Sequence, residues 1–165
     1  MTPRLRRSCL AVPGSSPKML ARAAGLPADE VFVDLEDSVL PELKNDDTRR
    51  AVVEALSGEW AAPTRAVRIN GVDTPWWRDD LHAAVAGRAD CVVVPKVERV
   101  EQVEAVARAL ADLGSDAGLE LQIEAVRQLR GESTSQVPGA RVGLVISGPM
   151  VTPVSSMLVG TGDTL

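Results

Sequence analysis

The sequence predicts an alternating α/β domain, a parallel sheet whose strands are joined by crossover helices. Three observations carry this expectation. Short apolar runs recur at regular distances along the 165 residues. Each run is continuously apolar rather than alternating, the pattern of a parallel strand covered on both faces. The stretches between them are amphipathic and carry helix start and stop residues.

The first run, Ser8 to Val12, is closed by Pro13-Gly14. Ser16-Pro17 then reads as an N-cap and first helical residue, with the helix running to Ala24 and stopping at Gly25. The second run, Val31 to Leu35, is followed by a helix over Asp46 to Leu56, with Ala51, Val52, Ala55 and Leu56 on one face and Gly58 as terminator. After the third run, Ala66 to Ile69, Thr74-Pro75 opens a helix that ends near Gly87. The fourth, Cys91 to Val94, precedes a helix over Val100 to Leu113, where Val100, Val103, Ala107, Leu110 and Leu113 form an apolar stripe. Leu119 to Ile123 and Val142 to Ile146 complete the set of strands.

Composition narrows the function. With 25% charged residues and no apolar run of helix-spanning length, a transmembrane helix is excluded. Acidic side chains outnumber basic ones 23 to 18, and the lysines, Lys18, Lys44 and Lys96, are scattered, so a nucleic-acid partner is not expected. The N-terminal MTPRLRRSCLAVPG faintly imitates a signal peptide, but Leu10 to Val12 is far shorter than the ~7 to 15 apolar residues secretion requires, and a cytoplasmic location is expected. Cys9 and Cys91, both in apolar runs, read as small core residues of a reducing compartment; a disulfide between them rests on the count alone, and neither has metal-site spacing.

In such folds the loops that carry chemistry gather at the carboxyl ends of the strands. These ends read Val12-Pro13-Gly14-Ser15, Asp34-Leu35-Glu36-Asp37, Arg68-Ile69-Asn70, Pro95-Lys96-Val97-Glu98 and Gln122-Ile123-Glu124. Carboxylates converging with Arg68 and Lys96 would bind a divalent cation and a carboxylate substrate. Plainer readings stand beside this one. Glu36 and Asp37 also suit a helix N-terminus or a solvated loop, and Arg68 an ion pair with Asp34 or Asp37 across strands. Lys96 and Glu98 carry the weakest signal. His82 reads as a surface or half-buried histidine, Trp76 and Trp77 as clamps between a helix and the sheet, and Ser147-Gly148-Pro149 lacks the pattern of a nucleophile elbow.

Taken in order, LAVPGSSPKML, DEVFVDLEDSVLPELK, VRINGVDTPW, DCVVVPKVERVEQV and GLELQIE resemble the HpcH/HpaI aldolase and citrate lyase beta subunit family, (β/α)8 barrel enzymes that make or break carbon–carbon bonds, commonly in acyl-CoA thioesters. The resemblance runs from about Arg7 to Glu124 and implies a partial TIM-type barrel that reads as truncated, since a closed barrel takes about 250 residues. It implies that Arg68 is catalytic and holds the substrate's carboxylate or carbonyl oxygens, and that Glu124 binds Mg²⁺. Glu36 and Asp37 would lie just behind the metal or hold its waters, and Lys18 would meet a phosphate of CoA. Ser16 stands where family members often carry a basic residue. A guanidinium fork suits a planar carboxylate, and Mg²⁺ on carboxylates stabilises an enolate.

The resemblance breaks after the sixth strand. The family's second magnesium carboxylate is an aspartate in an F-G-P-x-D-like segment, whereas Met150 or Val151 occupies that place here, and a thioether is a poor ligand for a hard cation. The nearest later acid is Asp163. EAVRQLRGESTSQVPGARVGLV resembles instead the C-terminal part of thiolase-like proteins, which divides the chain into 1–124 and 125–165. The leading expectation is a Mg-dependent lyase acting on a hydroxyacyl-CoA ester of citryl-CoA or malyl-CoA type, forming an oxo-acid and a thioester enolate. The alternatives are an inactive remnant that binds a nucleotide or a partner subunit, and a thiolase-like acyltransferase fragment, for which no cysteine is suitably placed. A partial barrel exposes two strand edges, so a homo-oligomer is expected.

Overall fold

The computed structural model describes residues 6–123, 142–146 and 157–158. The elements are β1 (Cys9–Pro13), α1 (Pro17–Ala24), β2 (Glu30–Asp34), α2 (Asp46–Leu56), β3 (Arg65–Arg68), α3 (Trp77–Ala86), β4 (Cys91–Val97), α4 (Val100–Asp112), β5 (Gly118–Ile123), β6 (Val142–Ile146) and β7 (Met157–Leu158). They form one sheet in the order β1-β2-β3-β4-β5-β6-β7. Each of β1 to β6 runs parallel to its neighbour, and the two-residue β7, unforeseen in the sequence, pairs antiparallel with β6. In a parallel sheet of sequential strand order, right-handed crossovers place the helices on one face, which is the arrangement of a (β/α) barrel. A doubly wound sheet reverses its strand order midway, and this one does not.

The strand residues facing the helices make the core. Val12, Val31, Val33, Val67, Val92 and Val94 are buried in one cluster with Leu20, Val52, Leu56, Leu81, Val106 and Leu110 from the helices. At about 25 cal/mol per Å² of apolar surface, this layer is the main force holding helices to sheet. On the opposite face of β1, Cys9 and Ala11 are exposed. The core reading of Cys9 is therefore corrected: its thiol points away from the helices and donates to Glu30 Oε1 at 3.1 Å. Cys91 is half-buried, and the two cysteines are not joined in a disulfide.

Local signals set the helix starts. Ser16 Oγ accepts the Met19 N–H ahead of Pro17, and Asn45 Oδ1 accepts the Thr48 N–H ahead of Asp46. The Gln102 side chain reaches back to accept the Glu98 and Arg99 N–H groups at 2.9 and 3.0 Å. The start at Thr74-Pro75 is corrected, because the Thr74 hydroxyl and N–H both donate to Gly71 O, closing a turn, and α3 begins at Trp77. Trp77 is buried in the core as a clamp, while Trp76 is half-buried beneath the Lys44 ammonium, 5.0 Å from the ring centre. His82 is exposed on α3. Among the described residues no helix is long and apolar enough to cross a membrane.

Gly14 fits the close junction between the ends of β1 and β2. Its N–H donates to Asp34 O at 2.8 Å, and a Cβ there would lie 2.8 Å from Leu35 Cδ2 and 2.9 Å from Val52 Cγ2. This close packing seats the β2 end, and with it the acidic loop, against the mouth of the sheet.

Candidate active site

The parallel register of β2 and β3 sets Asp34 opposite Arg68, both at the carboxyl ends of their strands. Asp34 Oδ1 accepts from Arg68 Nε at 2.8 Å and Oδ2 from Arg68 Nη2 at 2.7 Å, a two-bond bridge between side chains only 2% and 13% exposed. The same two oxygens accept the Glu36 and Ser38 N–H groups at 2.8 and 3.0 Å. One carboxylate thus fixes both the plane of the guanidinium and the first turn of the loop that carries Glu36 and Asp37. Burial works to raise the Asp34 pKa, but the hydrogen bonds from Arg68, Ser38 and Glu36 outweigh it and hold the carboxyl below its usual range. Burial likewise works to lower Arg68, and the Asp34 carboxylate overcomes it, keeping the guanidinium charged.

Glu36 and Asp37 close the site with Lys96 from β4. Lys96 Nζ lies 2.5 Å from Glu36 Oε1 and 3.0 Å from Asp37 Oδ1, and these two hydrogen bonds raise its pKa. Glu36 Oε2 is buried, has no hydrogen-bond partner among the described residues, and lies 3.7 Å from Arg68 Nε. Behind Arg68, Asn70 ties the next loop down. Its N–H and Nδ2 both donate to Asp80 Oδ2, at 3.0 and 2.7 Å, and Nδ2 also donates to Leu35 O at 2.8 Å. Arg49 Nε holds Asp80 Oδ1 at 2.9 Å, and Lys44 Nζ donates to Asn70 Oδ1 at 2.5 Å.

The structure brings together Arg68, Glu36 and Asp37 as the strand ends implied, and the ion pair of Arg68 is with Asp34 rather than Asp37. It separates Lys96, which belongs to the cluster, from Glu98, which is exposed and whose N–H donates to Gln102. Lys18 is exposed in the first turn of α1, and no described hydrogen bond or ion pair joins it to the cluster. Glu124 lies outside the described residues, as do Ser147 to Val151 and Asp163. Asp34 as the hub, and the Asn70–Asp80 pair behind it, were not singled out in the sequence; their one visible mark is a polar side chain at or just past the end of an apolar run.

The resemblance implies magnesium, and the described carboxylates do not by themselves make a set for it. Asp34 spends both oxygens on four donors, and Lys96 occupies Glu36 Oε1 and Asp37 Oδ1. Among the described residues no group of three or more His, Cys, Asp or Glu side chains could hold a metal ion. Two cations beside the uncommitted Glu36 Oε2 further disfavour a third.

The model of the HpcH/HpaI aldolase/citrate lyase family matches residues 7–137, and the chain belongs to this family. It is 40% identical over 107 residues to a (3S)-malyl-CoA thioesterase of Cereibacter sphaeroides, which covers 65% of this chain and 38% of that protein. It is 36% identical over 116 residues to the citrate lyase subunit beta of Leuconostoc mesenteroides subsp. cremoris, covering 70% of this chain and 38% of that one. The chain therefore spans 38% of the length of these two curated relatives. Among solved structures, the citrate lyase beta subunit from Mycobacterium tuberculosis complexed with oxaloacetate and magnesium superposes with a TM-score of 0.52 at 26% identity, covering 82% of this chain and 66% of that one. The family match runs past Glu124 to residue 137, into the stretch where the sequence suggested a thiolase-like segment, and no comparison shows that segment.

Proposed function

We propose that the chain carries the substrate-orienting part of a site that cleaves a carbon–carbon bond in a hydroxyacyl-CoA ester of the citryl-CoA or malyl-CoA type, forming an oxo-acid and a thioester enolate. The observation that supports this reading is the Arg68 guanidinium, held in one plane at the mouth of the sheet by the two-bond bridge to Asp34. A guanidinium fixed in this way is a pre-set donor for a planar carboxylate, and its charge stabilises negative charge developing on an adjacent carbonyl oxygen. Because Asp34 is itself locked by two backbone N–H groups, Arg68 does not have to reorganise as that charge appears. Lys18, in the first turn of α1, is the proposed contact for a CoA phosphate. The mycobacterial relative is complexed with oxaloacetate and magnesium, and Glu124 is the proposed magnesium ligand in this chain.

The 40% identity to a thioesterase supports a second reading, hydrolysis of the same ester. The products separate the two. With malyl-CoA and Mg²⁺, lyase chemistry gives an oxo-acid and acetyl-CoA, whereas hydrolysis gives malate and free CoA. The lyase reading predicts the first pair, with loss of turnover in Arg68→Ala. It also predicts that oxaloacetate with Mg²⁺ raises the unfolding temperature by mass action and that Arg68→Ala removes the shift. A chain that makes neither product pair and shows no shift has no such site.

A further inference from the structure

Resting on that reading of the site, we infer that Lys96 is a positioning residue that clamps Glu36 so that its second oxygen accepts the hydroxyl of a hydroxy acid held by Arg68. Three independent features converge on this residue. Lys96 has φ of +51°, the left-handed region that a side chain with a Cβ occupies at a cost. Among the described residues the other non-glycine positive φ is Arg88, just past the end of α3, where helices often close with such a residue. Lys96 is instead within β4, where the register against β5 shifts between Val94 and Val97. A bulge of this kind re-aims a side chain, and here it sends the ammonium across the end of β3 to reach Glu36 and Asp37 beyond β2.

Stability does not explain the arrangement. The Lys96 side chain is 48% exposed, and half-exposed ion pairs contribute little to folding. Its consequence is geometric. With Oε1 held at 2.5 Å by Lys96, the Glu36 side chain, 6% exposed, leaves Oε2 buried, without a hydrogen-bond donor among the described residues, and 3.7 Å from Arg68 Nε. A buried carboxylate oxygen in that condition calls for a donor. A carboxylate or carbonyl group supplies none. The hydroxyl of a hydroxyacyl ligand supplies one, so Glu36 is placed to tell a hydroxy acid from the corresponding oxo-acid, and Lys96 determines where Glu36 points.

Calorimetric binding of L-malate and of oxaloacetate to the full chain, each with Mg²⁺, tests this in wild type, Lys96→Met, Lys96→Arg and Glu36→Gln. The expected result is that Lys96→Met weakens malate by ~10-fold or more, the size of a lost hydrogen bond to a charged group, and oxaloacetate by under ~3-fold. Lys96→Arg restores part of the selectivity, Glu36→Gln loses it, and unfolding curves confirm that each variant folds. Equal weakening of both acids would mean that the donor is water rather than the ligand hydroxyl, and it overturns the inference. Unaltered affinity for both acids in Lys96→Met overturns the role of Lys96 while leaving the functional reading in place. Wild-type chain that binds neither acid overturns both.

Discussion

Asp34 and Arg68 face each other across adjacent parallel strands, 34 positions apart in sequence and in direct register. Their side chains form two parallel hydrogen bonds of 2.8 and 2.7 Å. The carboxylate that orients the guanidinium also accepts the N–H groups that begin the Glu36 loop. Orientation of Arg68 and placement of Glu36 are therefore one event, decided by a residue that need not touch a substrate.

Breaking this bridge from either side strands a nearly buried charge. Asp34→Ala and Arg68→Ala are each expected to destabilise the chain by ~3–5 kcal/mol, the range for removing one partner of a buried pair. The double variant should cost clearly less than the sum, because neither charge is then left alone. Urea unfolding of the four proteins closes the cycle. Simple additivity would show that the two groups do not depend on one another.

The same bridge gives stability a pH dependence whose sign is fixed. The folded-state pKa of Asp34 lies below its usual 3.8. Its contribution is therefore fully present above 3.8 and is lost as pH falls through the lower folded value. Stability of the wild type should decline more steeply than that of Asp34→Asn on acidification through this window, as measured by denaturation at fixed temperature. Parallel declines would place the titrating carboxylates elsewhere.

Asp80 joins three elements at once. It accepts from Asn70 in the loop after β3 and from Arg49 on α2, while itself belonging to α3. Arg49 is almost wholly buried and, among the described residues, its Nη2 has no hydrogen-bond partner, so loss of Asp80 leaves its charge poorly compensated, with Asp46 Oδ1 at 3.0 Å the nearest described acid. Asp80→Ala should cost ~3–5 kcal/mol, and Asp80→Asn less, since an amide oxygen still accepts one of the bonds. Because Asn70 also ties down Leu35 O and Lys44, the variant should speed amide exchange in the loops after β2 and β3 more than in α4. Uniform exchange would mean that Asp80 acts only on global stability.

The strands were legible because continuous apolar runs such as Val31 to Leu35 and Cys91 to Val94 leave little else for those residues to form, and the helices because Ser16-Pro17 is a local start signal and Asp46 to Leu56 carries an apolar face. Arg68, Glu36 and Asp37 could be picked out for the same local reason, as charges directly after apolar residues. Asp34 as their organiser was hidden, since its role follows from strand register, a relation between distant segments. Cys9 misled because an apolar run does not say which of its residues face the helices. Lys96 misled most. Neither the bulge nor the left-handed backbone is marked by a glycine or asparagine, so the residue looked like an ordinary charge at the end of a strand.

That hidden backbone state can be measured directly. At φ of +51°, glycine removes the Cβ clash that alanine retains, while both replacements delete the ammonium and its ion pairs with Glu36 and Asp37. The left-handed conformation costs a residue with a Cβ ~1–2 kcal/mol, and glycine returns part of this through the greater freedom of its unfolded chain. Lys96→Gly is therefore expected to be more stable than Lys96→Ala by ~1 kcal/mol, the reverse of the usual order within a strand. Urea unfolding of the two variants decides the matter, because their difference contains the backbone and no side-chain contact of the lysine. Alanine equal to or above glycine would show that residue 96 is free to leave the left-handed region, and that the ammonium, rather than the bulge, places Glu36.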